Sequence, residues 1–188
     1  MDNKAPAICV FCGSSSGVRP TYAAAANRLG ALIASHGFRM VFGGGDVGLM
    51  GECSRAARSA GAHVFGVIPG FLRRREPSLE GADEVIVPDM QIRKQRMIDA
   101  SDAFVILPGG LGTLDELFEV LSIAQLKEHN KPIVIVDIDD FYAPLWPLIA
   151  RTQHEGFAAS TVQELYHVVK TPELAVAAIE RLLGYASR

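Results

Sequence analysis

The chain has 188 residues, 49% of them hydrophobic and 21% charged, with a formal net charge of -3. That is an ordinary globular composition, sized for one domain over 1–188, and the charge gives no electrostatic footing for nucleic acid or an anionic membrane. No apolar run reaches the length of a membrane span, and the opening MDNKAPAICVFCG lacks a basic segment, apolar stretch and cleavage site, so a cytoplasmic protein is expected.

The first expected element is a strand, AICVFC at 7–12. Its Cys9 and Cys12 form a CxxC, but positions three apart on a strand point to opposite faces. No second CxxC or paired histidine completes a metal site, and three cysteines make no disulfide framework, so these are expected as small buried residues. The segment CGSSSG (12–17) leads into an alanine-rich helix, TYAAAANRLGALIASHG, which closes at Gly37. A strand, RMVF (39–42), runs into GGGDVGLMG (43–51), which opens a helix ending at Gly61. Two more strands follow, HVFGVI (63–68) and EVIVP (84–88), and then a helical segment, DMQIRKQRM (89–97), with Met90, Met97 and Ile98 on its buried side.

The strand AFVIL (103–107) meets PGGLGTLDE (108–116), and the helix beyond carries Leu114, Leu117, Phe118, Leu121 and Leu126 at helical spacing. PIVIV (132–136) and YHVVK (166–170) are the last strands, and Thr171 and Pro172 mark N-cap and first turn of a final helix. Strands nearly continuous in Val, Ile and Phe, alternating with helices, predict an α/β fold: a doubly wound parallel sheet with helices on both faces.

Three glycine-rich segments, 12–17, 43–51 and 108–113, all follow strands and all open helices. The carboxyl ends of such strands line the ligand crevice of an open α/β sheet, and a bare helix N-terminus suits an anion such as phosphate. The same glycines would also serve as tight turns. No Walker A sequence is present. Gly43, Gly45 and Gly48 satisfy GxGxxG, but no acidic residue stands about 20 residues later at the end of the next strand, so a dinucleotide is not expected.

Glu116 has two readings. Three residues after Thr113 it completes a capping box, and on the same rim it is a carboxylate placed for chemistry. Asp115 belongs to the same rim. Arg93, Lys94 and Arg96 cannot all face solvent in the same way: they either form a solvated helix face or supply a guanidinium fork for phosphate or carboxylate. His36, His63, His129, His154 and His167 show no ligand spacing, and no metal is assigned.

VFCGSSSG, GGGDVGLMG, DMQIRK, PGGLGTLDE and AQLKEHNKP together resemble, in order and spacing, the LOG family of cytokinin riboside 5′-monophosphate phosphoribohydrolases, over nearly the whole chain. The resemblance implies a Rossmann-like fold, a homodimer without cofactor, and hydrolysis of the N-glycosidic bond of an adenosine 5′-monophosphate, often N6-prenylated. The products would be free base and ribose 5-phosphate. It places the catalytic pair at Arg93 and Glu116. Lys94, Gly109, Gly110, Gly112 and Thr113 would bind substrate, with Glu76 as an additional acidic contact and Ser14, Gly44 and Gly45 on the other two glycine segments. Two positions depart from the family's pattern: Gln91 replaces a common His, and Ile123 replaces a Trp frequent in plant members. Members are often labelled lysine decarboxylases, but no lysine here stands in a setting for a pyridoxal phosphate Schiff base. The alternative reading is a non-catalytic nucleotide or molybdenum-cofactor carrier, which needs the glycine rim but not the Arg93–Glu116 pair.

Overall fold

The computed structural model describes residues 5–77 and 79–185. Its strands are β1 (Ala7–Phe11), β2 (Arg39–Phe42), β3 (Val64–Pro69), β4 (Asp83–Val87), β5 (Ala103–Ile106), β6 (Ile133–Val136) and β7 (His167–Val169). Its α-helices are α1 (Pro20–Ser35), α2 (Gly48–Ser59), α3 (Gly70–Arg73), α4 (Met90–Asp99), α5 (Leu111–Gln125), α6 (Leu145–His154) and α7 (Pro172–Leu183). All seven expected strands are present. Two helices have no counterpart in the sequence reading: α3 is only four residues long, and α6 carries Pro147 in its first turn, where a missing N–H costs nothing.

The sheet is wholly parallel and ordered β4-β3-β2-β1-β5-β6-β7. The chain builds outward from β1 to β4, then crosses to β5 on the other side of β1 and builds outward again. The strand order therefore reverses between β1 and β5, where Cys9 pairs with Phe104 and Val10 with Val105. Loops diverge above such a reversal and leave a crevice at the strands' carboxyl ends.

Side chains alternate across the sheet, so each central strand feeds two cores. Ile8, Val10, Met40, Phe42, Val105 and Val134 pack with α1, α2 and α7. Cys9, Phe11, Val41, Phe104, Ile106 and Ile135 pack on the opposite face with α4 and α5, and with Leu145 and Trp146 of α6. Cys9 and Cys12 accordingly lie against opposite cores, and all three cysteines are free. Among the described residues, no helix is long and apolar enough to cross a membrane.

Helix starts show where the fold leaves polar groups open. Asp89 caps α4 by accepting from the Ile92 amide at 2.8 Å, and Thr171 caps α7 as its sequence predicts. By contrast α2 and α5, which begin at the crevice, have Val47 and Gly110 at their N-caps and no side-chain cap.

Candidate active site

A cavity of about 300 Å³ opens above β1, β2 and β5, with Ser14, Gly43, Glu76, Arg93, Thr113 and Glu116 among its walls. Arg93 and Glu116 are brought together from α4 and α5. Arg93 is 8% exposed, a rare state for a guanidinium, and three acceptors account for it. Its Nε donates to the Val67 carbonyl at 3.1 Å, its Nη2 to the Gly43 carbonyl at 3.3 Å, and its Nη1 to Glu116 Oε1 at 3.0 Å. One side chain thus ties the ends of β3 and β2 to α5 and fixes one carboxylate oxygen. Burial pushes the Glu116 carboxyl up to about 7, against the opposing pull of Arg93 and with a further push from Asp115. Both its protonated and its ionised forms are accessible near neutral pH, which is what an acid–base group requires.

The capping-box reading of Glu116 does not hold. Helix α5 begins at Leu111 with Gly110 as N-cap, so Thr113 sits at the third helical position and Glu116 lies a turn further along. The Glu116 carboxylate turns into the cavity toward Arg93 and not back to the helix start. No acidic residue occupies the first turn. The first α5 amide with an internal acceptor is that of Leu114, which donates to the Gly110 carbonyl at 3.1 Å. The amides of Leu111, Gly112 and Thr113 have no acceptor among the described residues and adjoin the cavity, so the positive helix end is open toward it.

The glycines divide by what surrounds them. A side chain at Gly109 would collide with Thr113 and come within 2.8 Å of the Gly13 amide, whereas Gly110 and Gly112 face open space. The Gly13 amide donates to the Pro108 carbonyl at 3.1 Å and the Gly13 carbonyl accepts from the Met50 amide at 3.2 Å, stitching the three glycine segments together. A side chain at Gly43 would overlap the Arg93 guanidinium, and one at Gly45 would overlap the Glu76 carboxylate. Gly44 has a φ of +85° and backs onto Ile68. Neither Gly44 nor Gly45 is a wall of the cavity; they shape the loop that lets Arg93 and Glu76 reach it.

Lys94 points elsewhere. It pairs with Asp115 at 3.0 Å and with Glu119, clamping α4 to α5 outside the cavity. Arg96 and Gln91 are exposed on α4, and Ile123 packs at the edge of the core under α5. The structure also adds residues that sequence reasoning passed over. Met50, Leu72 and Cys12 complete the cavity. Tyr142, 2% exposed, donates its hydroxyl to the Leu107 carbonyl at 2.8 Å, directly under the 108–113 loop, while its own amide donates to Asp137 at 2.7 Å. The polar run DIDD at the carboxyl end of a strand was the available signal for this support. Among the described residues, no group of three or more His, Cys, Asp or Glu is arranged to hold a metal ion.

The family model described as "Possible lysine decarboxylase" matches residues 50–179. Amino-acid decarboxylation on pyridoxal phosphate needs a Schiff-base lysine, and among the described residues no lysine lines this cavity. The chain is 41% identical to cytokinin riboside 5′-monophosphate phosphoribohydrolase LOG1 of Arabidopsis thaliana, covering 100% of this chain and 87% of that protein. It is 44% identical to the protein named LOG3 from the same plant, covering 95% and 82% of the two chains. Among solved structures, the Moco carrier protein from Chlamydomonas reinhardtii superposes with a TM-score of 0.70 at 25% identity, covering 96% of this chain and 98% of that one. The buried arginine–glutamate pair, the open glycine-rich helix start and these two relatives agree, and the chain belongs to the LOG family of phosphoribohydrolases.

Proposed function

We propose that this cavity hydrolyses the N-glycosidic bond of adenosine 5′-monophosphates, plain or N6-prenylated. Water attacks C1′ of the ribose, the C1′–N9 bond breaks, and the products are ribose 5-phosphate and free adenine or its N6-substituted form. The observation that carries the reading is the Arg93–Glu116 pair, one helical turn from the open amides of Leu111, Gly112 and Thr113. A phosphate on those amides places the ribose beside Glu116 and converts binding energy into orientation.

Each residue then has a part. Arg93 holds Glu116 Oε1 and cannot act as an acid, because a guanidinium keeps its proton near neutrality. The second oxygen of Glu116 meets the sugar, where it stabilises the positive charge that grows on the ring or takes a proton from the attacking water. Gly110, Gly112 and Thr113 form the phosphate seat, Gly109 supports it by packing beneath Thr113, Ser14 closes it after β1, and Glu76 offers its carboxylate to the ribose hydroxyls from the opposite wall. Gly44 and Gly45 contribute through loop shape, and Lys94 by holding α4 against α5. The whole of 1–188 serves as one functional domain.

The enzyme works as a homodimer in the cytoplasm. Support for the dimer is exposed apolar surface along α5, at Leu111 and Phe118, continued by Leu126 just past its end and by Ile92 of α4. Support for the compartment is three unpaired cysteines, which suit a reducing environment.

Incubation with AMP and with N6-isopentenyl-AMP, followed by chromatography for free base and ribose 5-phosphate, tests the reading. Release of both products from either nucleotide supports it. Binding without cleavage overturns it in favour of a carrier, a reading that the Chlamydomonas structural likeness permits but that gives the buried Arg93–Glu116 pair no task.

A further inference from the structure

The chain leaves β5 at Ile106, the last residue in register with Phe11 of β1 and Ile135 of β6. The next peptide, Leu107–Pro108, begins the loop that carries the proposed phosphate seat. Pro108 has no N–H, so this peptide can be hydrogen-bonded only through the Leu107 carbonyl. The Asp137 amide, just past β6, goes to the Val169 carbonyl of β7 at 2.8 Å. The Leu107 carbonyl accepts from the Tyr142 hydroxyl at 2.8 Å, although the two residues are 35 apart in sequence.

Tyr142 is itself firmly held. Its ring stands edge to face with Phe141, with centroids 4.9 Å apart and planes at 89°, and its centroid lies 6.2 Å from that of Trp146. Its amide donates to Asp137 Oδ1 at 2.7 Å, and the other oxygen of that carboxylate lies 3.0 Å from Lys170 Nζ. Burial pushes the hydroxyl well above the usual phenol range, so it stays protonated and able to donate. Packing alone does not call for the oxygen, since phenylalanine would fill the same space. A buried hydroxyl is favourable only with a partner, and here the partner is the carbonyl from which the loop departs.

Beyond that carbonyl the loop has little freedom. The Pro108 carbonyl accepts from the Gly13 amide at 3.1 Å, Gly109 is wedged against Thr113, and Gly110 is the N-cap of α5. A tilt of the Leu107–Pro108 peptide is therefore passed on to the amides of Leu111, Gly112 and Thr113. Glu116 is fixed separately, by Arg93.

We propose that Tyr142 is a positioning residue for the phosphate seat, acting through the Leu107 carbonyl. It is not among the walls of the cavity and does not touch the substrate. The role rests on the reading of the α5 amides as the seat of a nucleotide phosphate. Phosphate affinity depends on the Tyr142 hydroxyl, whereas the acid–base behaviour of Glu116 does not.

Calorimetric binding of ribose 5-phosphate to the native chain, Tyr142→Phe and Ser101→Ala tests the role. Ser101→Ala is a matched control: its hydroxyl, on a residue 3% exposed, donates to the Met97 carbonyl at 2.6 Å, at the opposite end of β5 from the seat. Tyr142→Phe should weaken ribose 5-phosphate about tenfold and raise the KM for AMP by a similar factor, with the limb of kcat/KM near pH 7 unmoved. Ser101→Ala should bind like the native chain, whatever stability it loses. Asp137→Asn keeps an acceptor for the Tyr142 amide but gives up the charge that faces Lys170, and should weaken binding by a smaller factor. It replaces Tyr142→Phe if that variant does not fold.

Native affinity in Tyr142→Phe, or in Asp137→Asn standing in for it, overturns the role. Equal weakening in Ser101→Ala does the same, because it traces the effect to lost stability alone. A limb displaced together with the affinity also overturns it, since Glu116 would then move with the loop. If the native chain binds ribose 5-phosphate but leaves AMP intact, the hydrolase reading fails, while weaker binding in Tyr142→Phe still supports the role. No binding of ribose 5-phosphate to the native chain removes the seat and the role with it.

Discussion

Arg93 Nη1 lies 3.0 Å from Glu116 Oε1, and the two side chains are only 10% and 9% exposed. The pair bridges α4 and α5 across the carboxyl ends of β2 and β3, because the same guanidinium also holds the carbonyls of Gly43 and Val67. Glu116→Gln keeps the size of the side chain and its hydrogen-bond acceptor but removes its charge and basicity. This variant should bind AMP with nearly native affinity and lose about 10²–10⁴-fold in kcat. Calorimetric binding and turnover of the same preparation check it, and native turnover would remove Glu116 from the chemistry.

Removing Arg93 has a different signature. Arg93→Ala leaves a buried carboxylate without its partner and three acceptors without their donor, an arrangement that costs about 3–5 kcal/mol of stability. Arg93→Lys keeps a charge but cannot serve three acceptors set around a planar fork. Denaturant unfolding should rank the native protein above Arg93→Lys and Arg93→Lys above Arg93→Ala, with activity lost in both variants. An Arg93→Ala protein as stable as the native one would contradict the structural reading of the pair.

Gly43 tests the same guanidinium from outside the charge network. A methyl group at this position would overlap Arg93 Nη2. Gly43→Ala should therefore displace Arg93 and reduce kcat by at least about tenfold while retaining the sheet, as circular dichroism and kinetics would show. Full activity in Gly43→Ala would mean that the geometry of Arg93 is not critical.

Burial holds the Glu116 carboxyl near 7 in the folded chain, well above the value of about 4.3 expected in an unfolded one. The native state therefore binds this proton more tightly. The stability it contributes is present in full below about pH 4 and is lost as pH rises toward about 7. Relative to Glu116→Gln, the native protein should lose about 1–3 kcal/mol over that window. If Glu116 works as a base, kcat/KM should rise with pH along a limb near 7, and Asp115→Asn should move the limb lower because Asp115 raises the Glu116 value. A flat stability difference between native and Glu116→Gln proteins across this range would show that the carboxyl titrates normally.

The sheet was legible in the sequence because strands buried on both faces leave runs such as AFVI and IVIV that no amphipathic helix would show. The glycine segments were legible for a related reason: they sit where the chain leaves a strand and must approach another backbone. The fate of individual charges was not. Arg93 and Lys94 are neighbours in sequence, yet one is buried and the other is drawn out to Asp115 and Glu119. The acceptors that bury Arg93 lie 23, 26 and 50 residues away, so no local pattern encodes them. The false capping box has a similar cause. Gly110 takes the N-cap position because its neighbours need bare backbone, and the Thr113-x-x-Glu116 spacing then falls inside the helix.

The glycines of the 108–113 loop offer a last separation of fold from ligand. Gly109 is packed against Thr113 and lies near the Gly13 amide, so Gly109→Ala must shift backbone on both sides of the crevice and should destabilise the chain by about 1–3 kcal/mol. Gly110 and Gly112 face open space, and a methyl group at either meets nothing in the protein. Gly110→Ala and Gly112→Ala should therefore unfold at native denaturant concentrations, with Gly112→Ala favoured slightly by helix propensity. Their cost appears only when something occupies the space above the α5 amides. If that occupant is the nucleotide phosphate, both variants should show a KM for AMP raised about tenfold with stability unchanged. Native KM in both would place the phosphate elsewhere, and with it the pose that brings the ribose to Glu116.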